Sequence, residues 1–247
     1  MMKPLSAFEL LTIWEEGLEQ PLLEKTMRLL GRACSVADYN DIGLLSIGER
    51  DARLLRLREW LFGNRLMNMA HCPRCKEPVE WETNTENLHL QQLPAGLAVK
   101  SFMLEKDDYS INFRLPNTYD ITNALADPAY QADQKKLLTD CIVEINKKGK
   151  KYKEKKLPDE VLDALSRRME EEDPQADIRM NIQCPACAHE WAARFDIVSF
   201  LWAEIHNWAQ RMIQEVYLLA RSFGWSEKDI LAMSARRRQL YLQMIQA

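Results

Sequence analysis

Apolar side chains recur every three to four residues over the first third of the chain, the spacing that gathers them on one face of an α-helix. Phe8, Leu10, Leu11, Ile13, Trp14 and Leu18 form the first such stripe. Pro21 opens a second helix carrying Leu22, Leu23, Met27, Leu29 and Leu30, because a proline in the first turn gives up an N–H that has no helical partner anyway. A third helix is expected over 49–62. It places Leu54, Leu55, Leu57, Trp60 and Leu61 on one side and Arg50, Arg53, Arg56 and Arg58 largely on the other, and Gly63 stops it.

From residue 70 the pattern changes to β-branched and aromatic runs. Val79 and Trp81, then 99–104 and 109–115 with a turn at Lys106, Asp107 and Asp108, predict one small antiparallel sheet. Pro116 and Asn117 end it, and helices are expected over 119–126 and 133–145. The run 147–156 holds seven lysines whose mutual repulsion predicts a solvated loop or hairpin tip. Pro158 starts a helix through Leu162, Leu165 and Met169 that Pro174 breaks. Ile178, Met180 and Ile182 alternate with polar residues as a strand. The longest helical pattern covers 195–223 and stops at Gly224; Ser226, with Asp229 three residues on, caps a final helical unit.

With 247 residues, 47% of them hydrophobic, the chain can bury a sizeable core, which argues against intrinsic disorder. A formal charge of -4 provides no global field for nucleic acid. No apolar run approaches the roughly 18–20 residues of a membrane span, and the start lacks the pattern of a signal peptide, so the expectation is a soluble cytoplasmic protein.

Of six cysteines, four fall into Cys72-Pro-Arg-Cys75 and Cys184-Pro-Ala-Cys187, and Cys34 and Cys141 are expected to be ordinary buried thiols. Two Cys-x-x-Cys pairs supply the four soft ligands of a tetrahedral structural zinc site, so Cys72, Cys75, Cys184 and Cys187 are the predicted ligands of one Zn2+. Each pair is followed by an aromatic, Trp81 and Trp191. Four reduced buried cysteines are the bland alternative; a thioredoxin-like redox pair lacks the strand-to-helix setting at Cys72. His71, His189 and His206 are read as neighbours, because four thiolates complete the shell and leave no open position for metal catalysis.

The expected fold is therefore α+β, mainly α: a helical body with a small antiparallel sheet carrying a split four-cysteine zinc ribbon. Helical regions at 1–69 and 195–247 flank a β region formed by 70–116 and 176–194, with a helical insertion over 117–175, all in one compact unit. No phosphate loop, nucleophile elbow or His-Glu-x-x-His helix occurs, so no enzyme is expected. Arg50, Arg53, Arg56, Arg58, the lysine run and Arg236, Arg237 and Arg238 are candidate polyanion contacts, with solvated helix faces as the simpler reading. Trp14, Trp60, Trp202, Trp208 and Trp225 are most simply core residues, although tryptophans also anchor protein interfaces.

Several stretches resemble the baseplate hub assembly chaperones of T-even-type phages and related contractile injection systems. They are Leu10-Leu-Thr-Ile-Trp-Glu-Glu-Gly17, the segment 47–63, both cysteine pairs, Arg114-Leu-Pro-Asn-Thr-Tyr-Asp120, the segment 195–204, and 219–231 with Arg236-Arg-Arg238. The resemblance implies assembly rather than catalysis: a chaperone or minor structural component that binds baseplate, hub or spike proteins of a contractile tail. A zinc-ribbon nucleic-acid-binding regulator is the alternative.

Overall fold

The computed structural model describes residues 2–35, 39–90, 93, 96–132, 135–154 and 157–246. Its first helices are fixed by their caps. Ser6 and Glu9 exchange hydrogen bonds as a capping box at the start of α1 (Ala7–Glu16), and Pro21 precedes α2 (Leu22–Cys34). A short α3 (Asn40–Gly43) leads to α4 (Ile47–Phe62), where Ser46 accepts from the Glu49 N–H and Gly63, at φ 84°, ends the helix.

Leu10, Leu11, Ile13 and Trp14 of α1, Leu29 and Leu30 of α2, and Leu54, Leu55 and Leu57 of α4 enter one core. That core is closed by the longest helix, α9 (Ile197–Phe223), through Ile197, Leu201, Ile205, Ala209 and Met212. At 27 residues α9 is about 40 Å long, long enough for its two halves to pack against different neighbours. Its first half meets α1, α2 and α4; its second half meets α10 (Glu227–Ala232) and α11 (Ala235–Gln246) around Leu219, Ile230 and Leu242. The single final unit expected after Ser226 is thus two helices, broken at Met233 and Ser234.

The single sheet expected over 70–115 resolves into parts of two sheets, and a third lies downstream. β1 (Arg65–His71) pairs antiparallel with β2 (Pro78–Asn84), from Arg65 opposite Asn84 to His71 opposite Pro78. Residues 65–69, expected within the helical region, are strand. β3 (Ser101–Lys106) and β4 (Tyr109–Arg114) belong instead to a four-stranded antiparallel sheet, completed by β5 (Ile142–Lys147) and β6 (Lys150–Lys151) in the order β3-β4-β5-β6. β7 (Arg179–Gln183) and β8 (Glu190–Arg194) form the third sheet.

The helix expected over 133–145 is also corrected, with 133 and 134 lying outside the described residues. After α5 (Thr118–Ala126) and α6 (Pro128–Ala132), only α7 (Lys136–Asp140) is helical, and Ile142 onward is strand. The apolar positions Leu138, Cys141, Ile142 and Ile145 mimic a helical stripe, but they serve a short helix followed by a β-branched strand. Ile111, Phe113, Ile142 and Ile145 pack beneath α8 (Asp159–Glu172), which contributes Val161, Leu162, Leu165 and Met169 to this second core.

The arginines of α4 depart most from expectation. Arg50, Arg53 and Arg58 are buried, so they form neither a solvated face nor a polyanion surface; only Arg56 is exposed, at 46% of its side chain. Arg50 donates to Asp51 and to Thr118 Oγ1, and Arg53 pairs with Glu49 and donates to the Gly96 carbonyl. Arg58 grips Glu204 of α9. Arg238 is likewise buried, held by Glu215 and the Met233 carbonyl. Trp60, placed in the core by its sequence context, is 42% exposed. Cys34 and Cys141 are buried thiols outside any disulfide, as expected.

Candidate metal centre

Two hairpins of the same local design face each other. In the first, β1 delivers Cys72, whose N–H donates to the Glu77 carbonyl while the Lys76 N–H donates back to the Cys72 carbonyl, both at 2.9 Å. In the second, Cys184 follows β7; its N–H donates to the His189 carbonyl, and the Ala188 N–H donates to the Cys184 carbonyl, again at 2.9 Å. Lys76 (φ 64°) and Ala188 (φ 56°) occupy equivalent left-handed positions just after the second cysteine of each pair. The chain thus folds back around each Cys-Pro-x-Cys turn in the same way.

The four sulfurs converge. Cys72 Sγ lies 3.7 Å from Cys187 Sγ and Cys75 Sγ lies 3.6 Å from Cys184 Sγ, across 115 and 109 positions of sequence. All four fall within 4.8 Å of one another. A tetrahedral tetrathiolate with metal–sulfur bonds of about 2.3 Å has sulfur–sulfur edges of about 3.8 Å, so this set has the dimensions to enclose one ion. Cys72 and Cys184 are buried, Cys187 is intermediate and Cys75 is exposed, which sets the cluster at the rim of the hairpin pair.

Crowding four thiols together separates their proton affinities. Burial opposes the Cys72 thiolate, but N–H groups of Cys75 and Arg74 and the neighbouring thiols outweigh it and bring its pKa down to about 7. For Cys75 the Glu77 N–H favours the thiolate, yet Cys187, Cys184 and Cys72 together with burial push its pKa up to about 12. Four thiolates share so small a volume only with a cation among them, and the ligand set is therefore suited to a metal that displaces the protons.

A small apolar cluster supports the hairpins: Val79 and Ile182, with Trp81, Met180, Trp191 and Ala193 packed around Cys72 and Cys184. Trp81 and Trp191 are not counterparts, although their similar distance from the cysteines suggested it. Trp191 pairs across the strand with Ile182, and the equivalent of that pair is Val79 opposite Ala70. Two of the three histidines have other contacts. The His189 ring stacks on Trp191 at 6.2 Å and 8°, and His206 Nδ1 accepts from Trp14 Nε1 at 3.1 Å. Among the described residues, only the four sulfurs form a cluster of potential ligand atoms.

The stretch Arg114–Asp120 has a structural explanation as well. Arg114 forms a two-pronged ion pair with Asp120, and Asn117 and Asp120 form the capping box of α5, while the Pro116 carbonyl accepts from Ile47 N–H at the start of α4. The stretch ties α4 to the four-stranded sheet, a role its residue types alone do not announce.

The model of one protein family, described as T4 bacteriophage base plate protein, matches residues 8–202, a span that includes both cysteine hairpins and runs from α1 into α9. The chain belongs to the T4 bacteriophage base plate protein family. Neither a curated protein nor a solved structure matches it. No helix among the described residues of this base plate family member is long and apolar enough to cross a membrane.

Proposed function

We propose that this chain is a non-enzymatic assembly chaperone or minor structural component of a contractile-tail baseplate, binding baseplate, hub or spike proteins, with one structural zinc ion held by Cys72, Cys75, Cys184 and Cys187. The match of the base plate family over 8–202 carries this reading. The metal part is supported by the four converging sulfurs, a soft tetrahedral set of the kind that closes around zinc and keeps no position for water or substrate. Zinc there joins two hairpins that backbone pairing leaves as separate sheets.

The arginines of α4 are withdrawn as a polyanion contact, because three of the four serve the interior. The nucleic-acid alternative is weakened by the same burial, and by that of Arg238, so the lysine run is its main support. Affinity capture with the tagged chain from a tail-assembly lysate tests the assembly reading. Recovery of a baseplate, hub or spike protein is expected; recovery of none contradicts it.

A further inference from the structure

The hairpin formed by β5 and β6 concentrates positive charge at one point of an otherwise acidic molecule. The whole chain carries -4, and the described residues 147–154 contribute +4 from five lysines and Glu154, which leaves -8 on the remainder. The turn is built to project. Lys148 (φ 52°) and Gly149 (φ 74°) both take the left-handed conformation of a tight two-residue hairpin, which sets Lys147 directly opposite Lys150.

Like charges facing each other across a strand pair destabilise it, so the hairpin is not arranged for its own stability. Part of the repulsion is relieved internally: Lys147 Nζ lies over the rings of Tyr109 and Tyr152, at 4.7 and 5.5 Å, Lys148 pairs with Asp108 and Lys151 with Glu144. Lys150 and Lys153 are exposed and make no ion pair among the described residues.

We propose that this hairpin docks an acidic segment of a partner protein. A narrow tip suits a short anionic segment, whereas the long uniform charge of a nucleic-acid duplex would bring it against the remainder of the molecule, which carries -8 and repels it. The inference rests on the reading that the chain works by binding other proteins, and the two fail separately. If the lysate capture succeeds while the following experiment fails, the assembly role stands and this docking point falls.

The experiment is fluorescence anisotropy of labelled poly-L-glutamate titrated with the full chain. Binding is expected to weaken at least about tenfold as salt rises from about 50 to about 200 mM, as charge pairing near a surface does. The double variant Lys150→Glu/Lys153→Glu, with an unchanged melting temperature, is expected to lose at least about tenfold in affinity, and duplex DNA of matched total charge to bind more weakly than poly-L-glutamate. Absence of binding at low salt, indifference to the double variant, or DNA binding as tightly as the polypeptide each overturns the proposal.

Discussion

Arg58 on α4 and Glu204 on α9 form a two-pronged ion pair, 2.8 and 2.7 Å, across 146 positions of sequence. The guanidinium is buried, donates also to the Gly63 carbonyl and lies 5.8 Å from the centre of the Phe200 ring, so one side chain joins the end of one helix to the first half of another. Glu204→Ala strands that cation in the core. A loss of about 2–4 kcal/mol is expected, less than for a fully enclosed pair because Glu204 is 28% exposed. Arg56→Ala, which removes the exposed partner of Glu59 but leaves that carboxylate its contact with His89, is expected to change stability by less than about 1 kcal/mol. Urea unfolding of the two variants checks the contrast.

Asp51 gives the fold a pH dependence of unusual sign. Burial pushes its carboxyl up to about 6; Arg50 opposes the shift, and Asp196 and Asp173 add to it. Because the folded pKa lies above that of the unfolded chain, this group's favourable contribution is fully present below about pH 4 and is lost as pH rises towards 6. The loss amounts to about 2–3 kcal/mol. Asp51→Asn removes the titration, so stability measured against wild type is expected to improve from pH 4 to pH 7. A constant difference across that range would refute the assignment.

Gly48 gives Asp173 its place at the start of α4. Its N–H donates to Asp173 Oδ2 at 2.9 Å, and a Cβ added there would overlap Asp173 Oδ1 and lie 2.9 Å from the Ala176 N. Gly48→Ala is therefore expected to displace that carboxylate and lower stability by about 1–3 kcal/mol despite alanine's better helix propensity. Thermal melting of the variant reads the effect directly.

The two left-handed residues of the hairpins allow a change in the opposite direction. Ala188 and Lys76 adopt a conformation that costs an L-residue about 1–2 kcal/mol relative to glycine, partly offset by the greater freedom of glycine in the unfolded chain. Ala188→Gly and Lys76→Gly are each expected to stabilise by up to about 1 kcal/mol, seen as a higher urea midpoint at unchanged slope.

Much of the helical framework was legible because its stop and start signals are local: Gly63, Pro158, Gly224 and Ser226 each stand where the structure uses them. The strand β1 was not. Its outward residues include Met67 and Met69 and its inward ones include Asn68, so the usual polarity of the alternation is inverted. The buried arginines escaped for another reason: Arg58 meets Glu204, Arg53 meets Gly96 and Arg50 meets Thr118, all partners distant in sequence, and a charged residue on a helix reads as solvent-facing without them. The cysteine cluster was readable since each half announces itself within four residues. The equivalence of Lys76 and Ala188 was hidden because neither position carries the glycine that would mark a left-handed turn.

The central claim is tested most directly by elemental analysis of the chain purified without added metal, paired with thermal melting before and after a strong chelator. One zinc per chain is expected. A crosslink closing a loop of about a hundred residues is worth about 4–5 kcal/mol in the chain-entropy picture, so removal of the ion is expected to lower the melting temperature by roughly 10–20 °C. A metal-free chain with four free thiols and an unchanged melt after chelation, or stoichiometric iron in place of zinc, would contradict the account.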